Sequence, residues 1–190
     1  MNIRQQQKQL TRAHIRKVAK KLFVKNGYDA ATIRQIAEAA NVASGTIFVH
    51  FPSKQAILVD ILFEDIEIVV GQVMTSLPKT NSLEQFLYIA RSLFEYYAQH
   101  PDLSRELLRS TIVQGLEEDR FQAQIEQFVL AIEQLLLNQK NVMKNTFSMA
   151  EALVAAYFYV LMSYLRSRPL DIDKSINQLK NMSLVILSQV

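Results

Sequence analysis

Cysteine is absent from this chain, so no disulfide framework, thiolate metal site or cysteine nucleophile is available to it. Glycine and proline are scarce, four of each in 190 residues, which argues against a turn-rich all-β design. Long apolar runs are missing too. The longest, Ala152 to Met162, falls well short of the roughly 18 residues a membrane span needs, so no membrane partner is expected. The N-terminus, with Gln5, Gln6 and Gln7, lacks the apolar stretch of a secretory leader, and the expected location is the cytoplasm. With 49% apolar residues, the chain has ample material for a core.

What is present is an uneven distribution of charge. Residues 1–54 hold ten basic side chains against Asp29 and Glu38, a net +8, and residues 55–190 hold 11 basic against 16 acidic, a net −5. Such a split suggests two tasks in two regions, 1–54 and 55–190. A basic helix can be merely a solvated face, so a polyanion partner needs a motif beside it.

Apolar residues recur at spacings of three and four between Pro52, Pro78, Pro101 and Pro169, and the fold expected is all-α with about nine helices. Ile15, Val18, Ala19, Leu22 and Phe23 line a first helix, ended by Asn26 and Gly27. A long helix is predicted from Ser53, as N-cap, to Thr75, and Asp171 or Asp173 is predicted to cap the last one.

The motif lies at residues 32–51, TIRQIAEAANVASGTIFVHF. Thr32 and Gln35 form a capping box, Asn41 suits a left-handed turn, Val42 plugs that turn, and Ile47 points back to a core. That is the spacing of a helix-turn-helix; an ordinary helical hairpin would share it but not the adjacent +8.

The stretch from Thr11 to Leu58, with LFVKNGYDAATIRQIA and TIFVHFPSKQAIL, resembles the N-terminal domain of TetR-type bacterial transcriptional regulators. The resemblance implies a three-helix DNA-binding head on a helical effector-binding and dimerisation body. It implies DNA contacts from Thr32, Arg34, Ser44, Gly45, Thr46, Phe48, Val49 and His50, with Lys54 as a phosphate clamp. A guanidinium at Arg34 suits bidentate contact with guanine, and Val49 suits a thymine methyl. The family's usual hydroxyl residue is replaced by Ala43, and its usual tyrosine by Phe48, so two backbone contacts are expected to be missing. The partners expected are a double-stranded operator, a second copy of the chain and a small hydrophobic effector. Pocket walls are sought among Phe63, Phe86, Ala90, Phe94, Tyr97, Phe121, Ile125, Phe128 and Phe147, residues that also fit an ordinary core. A dimer interface is sought among Leu153, Val154, Tyr157, Phe158, Leu161, Ile176, Leu179 and Ile186. No cofactor, metal or catalytic residue is expected. His14, His50 and His100 are scattered, with no metal-binding spacing and no Gly-rich phosphate loop, which disfavours an enzyme. The acidic 55–190 segment disfavours a purely architectural DNA binder.

Overall fold

The computed structural model describes residues 2–114, 119–138 and 145–188. Among them there are nine helices and no strand, as the periodicity predicts. They are α1 (Ile3–Asn26), α2 (Ile33–Ala39), α3 (Ser44–His50), α4 (Lys54–Thr75), α5 (Ser82–Gln99), α6 (Pro101–Gln114), α7 (Asp119–Leu137), α8 (Thr146–Arg166) and α9 (Ile172–Leu187). Packing divides the chain into two compact units, Met1–Glu67 with His100–Ser110, and Ile68–Gln99 with Thr111–Val190. We call them the head and the body. The head therefore takes in α4 as far as Glu67, beyond the boundary at residue 54 that charge suggests.

In the head, Ile15, Ala19 and Phe23 fall at successive fours on α1 and are all buried. They meet Ile36 and Ala37 of α2 and Ile47 of α3 in one small core, closed by Phe51, Ile57, Leu58 and Ile61. Gly27 ends α1 at a positive φ of 82°, where a side chain would be strained. Ser53 caps α4 as predicted, its hydroxyl accepting from the Ala56 N–H at 3.0 Å.

In the body, α8 packs against α7 and α9, and α5 against α7 and α9. By length and composition α8 could cross a membrane. Its buried residues, from Ala150 to Leu165, instead face those neighbours, as befits the central helix of a bundle. Asp171 is the residue that caps α9, accepting from the Lys174 N–H at 2.9 Å.

Aromatic rings dominate this interior. Phe94 stacks on Tyr157 and Tyr164, with ring centroids 5.7 and 4.9 Å away. Phe128 meets the edge of Tyr157, Phe158 adjoins it, and Phe121 reaches Phe158. Tyr164 donates to the Phe94 carbonyl at 3.2 Å. Burial pushes the Tyr97 hydroxyl up to about 12 and that of Tyr157 well above its ordinary value, so both stay neutral. Two ion pairs, Arg91–Asp173 and Lys180–Glu84, join α5 to α9.

These contacts change two expectations. Leu153, Val154, Tyr157, Leu161, Ile176 and Leu179 are buried by packing within the protomer, and Phe158 and Ile186 are half-buried. The six buried ones are core positions within the protomer and present no open face. The large apolar side chains that α8 and α9 do expose are Phe147, Tyr159, Met162, Leu184 and Val185. Of the residues considered for a pocket, Phe86, Ala90, Phe94 and Tyr97 are buried in the body, with Phe121, Ile125 and Phe128 half-buried beside them. Phe147 lies exposed on the first turn of α8, apart from the ring cluster, and Phe63 is buried in the head.

Candidate nucleic-acid interface

The helix-turn-helix is built as its sequence requires. Thr32 accepts from the Gln35 N–H through Oγ1, and Gln35 Oε1 accepts from the Thr32 N–H at 2.9 Å, so α2 begins in a complete capping box. The turn closes on three backbone bonds: Ala40 to Ile36, Asn41 to Glu38 and Val42 to Ala37. Asn41 has φ 53°, the left-handed conformation expected of it. Ala43 is the N-cap of α3 and offers no side-chain bond, so this helix starts with a donor fewer satisfied than its neighbour.

Of the expected contact residues, six form an open surface. Thr32 is exposed, and Arg34 is 85% exposed in its side chain. Arg34 pairs with Glu38 one turn away at 2.9 Å, and an exposed pair of this kind is worth about 0.3–0.5 kcal/mol, which leaves the guanidinium available to a partner. Ser44 and Gly45 open α3 in solvent, while Phe48 and Val49 are exposed near its end, Val49 at 68%. Thr46 is half-buried between them. A Cβ placed on Gly45 would meet no atom within 4 Å. Nothing inside the protein requires glycine there, and glycine within a helix costs about 0.5–1 kcal/mol relative to alanine.

Two of the expected contacts are engaged elsewhere. The Lys54 ammonium donates to the carbonyls of Tyr28, Ala31 and Asp29 at 2.8, 3.0 and 3.3 Å, and sits 4.2 Å from the Tyr28 ring centre. An ammonium has three protons, and all three are taken up by the loop that leads into α2. In this geometry Lys54 positions that loop, and the phosphate clamp expected of it would require these bonds to break. His50 is also turned inward, 9% exposed. Burial, followed by the charges of Lys8 and Arg12, lowers the pKa of its imidazole, and its buried Nδ1 makes no hydrogen bond.

What charge and spacing did not reveal is the role of α1. Arg12 donates to the His50 carbonyl and to Asp60, both at 2.8 Å. Arg16 donates to Asp60 at 3.1 Å and to Glu64, and Lys20 reaches Asp65 at 2.6 Å. Three cations at successive fours on α1 thus face three carboxylates of α4. A signal existed, since Asp60, Glu64 and Asp65 sit on one side of a helix, but their partners lie more than forty residues away. Among the described residues no cluster of histidine and carboxylate side chains could hold a metal ion.

Residues 15–61 match the family described as bacterial regulatory proteins, tetR family. The chain is 33% identical over 67 residues to the HTH-type transcriptional regulator UidR of Escherichia coli (strain K12), a match covering 35% of this chain and 34% of that protein. It is 28% identical over 122 residues to the HTH-type transcriptional repressor NicS of Pseudomonas putida, covering 63% of this chain and 57% of that one. The matched stretch thus spans only about a third of the first of these relatives and just over half of the second. Among solved structures, the fold is similar to that of Thermus thermophilus FadR, a TetR-family transcriptional repressor in complex with lauroyl-CoA. There the TM-score is 0.71 at 24% identity, over 93% of both chains.

Proposed function

We propose that the protein is a sequence-specific transcriptional regulator, a repressor released from its operator by a small effector, a reading supported by the match of residues 15–61 to the tetR family of bacterial regulatory proteins. The observation that carries this reading is the open surface of the helix-turn-helix, with Arg34, Ser44, Gly45, Phe48 and Val49 exposed together on a basic domain. Arg34 supplies the fork that reads a guanine edge, and Val49 supplies a methyl contact for thymine. The Gly45 backbone and Thr32 lie against phosphate and set the register.

The protein acts as a two-fold dimer. Tyr159 and Met162 on α8, with Leu184 and Val185 on α9, supply the exposed apolar face for a second copy. Two recognition helices in such a dimer read half-sites about one helical turn apart, roughly 34 Å. The effector is an apolar molecule held by the body, whose interior among the described residues is aromatic and aliphatic with no buried charge. The lauroyl-CoA bound by the Thermus thermophilus FadR supports a ligand with a long apolar part. Release follows from linkage: an effector that prefers one arrangement of the body weakens DNA binding by its differential affinity for the two states. The chain passes from head to body within α4, which makes that helix the natural lever.

Selection of duplexes from a random pool by the full chain tests the reading. A pseudo-palindrome is expected, whereas recovery of unrelated sequences would refute it. Sedimentation should show a dimer that Tyr159→Glu converts to a folded monomer.

A further inference from the structure

The guanidinium of Arg12 does three things at once. It donates to the carbonyl of His50, the last residue of α3, at 2.8 Å. It donates to Asp60 Oδ1 at the same distance, and it lies 4.3 Å from the centre of the Phe51 ring. The second oxygen of Asp60 accepts from Arg16, whose other terminal nitrogen reaches Glu64. Asp60 itself is 4% exposed, the only charged residue buried to that degree among those described.

This arrangement is more specific than a surface ion pair. A buried carboxylate left without partners is strongly unfavourable, so Asp60 holds both arginines firmly. A guanidinium is planar, with donors at fixed angles, so fixing one side of Arg12 fixes the direction of its other donor. That other donor meets the C-terminal end of α3, where backbone carbonyls lack helical partners and the helix dipole favours a cation. The exposed apolar pair Phe48 and Val49 precedes this point by two residues and one. The orientation of α3 is therefore tied, through one side chain, to a carboxylate on α4.

Charge points the same way. Counted to Glu67, the N-terminal segment holds ten basic side chains against six acidic, a net +4 where the count to residue 54 gives +8. Arg12, Arg16 and Lys20 are matched by Asp60, Glu64 and Asp65, and lose most of their value for neutralising phosphate.

We infer that Asp60 is a positioning residue for DNA reading: it holds Arg12 against the end of α3 and so fixes the recognition helix, while withholding two arginines from non-specific contact with phosphate. The inference rests on the DNA-binding function proposed above. It separates two quantities that a purely structural role would move together. Loss of Asp60 loosens the recognition helix and frees two cations, so binding to the selected sequence weakens as binding to any other duplex holds or strengthens.

The test uses the full chain with the duplex recovered by selection and a scrambled duplex of equal length. Asp60→Asn should lose roughly tenfold or more on the selected duplex, the scale of one charge-assisted hydrogen bond. On the scrambled duplex its affinity should be unchanged or higher, with a log–log salt slope steeper by up to about 0.9 for each additional phosphate neutralised. Arg12→Lys keeps the charge but not the planar fork, and should lose affinity for the selected duplex alone. It also remains informative if Asp60→Asn does not fold, which circular dichroism reports. Equal losses on both duplexes by the folded variants would overturn the inference, as would undiminished binding to the selected one. Failure of the native chain to select any sequence would instead remove the DNA-binding reading beneath it.

Discussion

The head and the body of this protein are both helical, yet they are held together by different chemistry. In the body Phe94 stacks on both Tyr157 and Tyr164, and among the described residues two ion pairs join α5 to α9. In the head an apolar core that includes Ile15, Phe23, Ile36, Ile47 and Phe51 is joined by ionic bonds that bind α1 and the α2 loop to α4. The head buries rings of its own, Phe23, Phe51 and Phe63, so its ionic bonds come in addition to an apolar core and not in place of one. Its charged side chains then serve twice, some facing outward and some bracing the helices that carry the others. The body carries no such demand on its charge.

Substitutions can break or sharpen this contrast. The largest effect belongs to the body. Phe94→Ala removes a ring that touches two tyrosines in a fully buried site, and should cost about 3–5 kcal/mol in a denaturant titration. A loss under about 1 kcal/mol would show the ring cluster to be loosely packed. Next comes the head's ionic bracing. Lys54→Met retains the stem but leaves three carbonyls without their donor, and should destabilise the protein by about 1–3 kcal/mol. If the variant keeps native stability and loses DNA affinity on all sequences alike, Lys54 is a phosphate contact after all. Thr32→Ala removes one cap and should cost about 1 kcal/mol by thermal melting.

The smallest effect is a dependence on pH. The folded His50 imidazole resists protonation, so the unfolded chain takes up its proton more readily as the pH falls through 6.5. His50 therefore contributes no stability change well above that pH and a loss below it. Melting temperatures of native protein and His50→Gln on either side of pH 6.5 should diverge, the native chain falling more. Parallel curves would mean that the imidazole is not desolvated in solution.

The contrast also explains what the sequence made legible. Periodicity located the helices well, because each buries one face; Ser53 and Asp171 are caps as expected. The recognition motif was readable because its signals are local: a capping box three residues wide and a single asparagine at φ 53°. Long-range pairing was not. The count of charge stopped at residue 54, and the carboxylates that answer Arg12, Arg16 and Lys20 begin at Asp60. Lys54 and His50 looked like surface contacts because their types and places suit phosphate, while in the structure His50 is buried and the Lys54 ammonium is engaged by the loop before α2. On α8 nearly every residue is apolar, so sequence alone could not say which face lies inward; Tyr157 does, and Tyr159 does not.

The central claim is that an exposed α2–α3 surface on the head reads DNA sequence. The most direct measurement is the affinity of native chain and Arg34→Ala for the selected duplex and a scrambled one as salt is raised. Native binding should weaken with salt at about 0.9 log units per phosphate neutralised. Arg34→Ala should lose about 1–3 kcal/mol on the selected duplex and little on the scrambled one, with its fold intact. Equal losses on both duplexes, or native binding that ignores salt, would contradict the account.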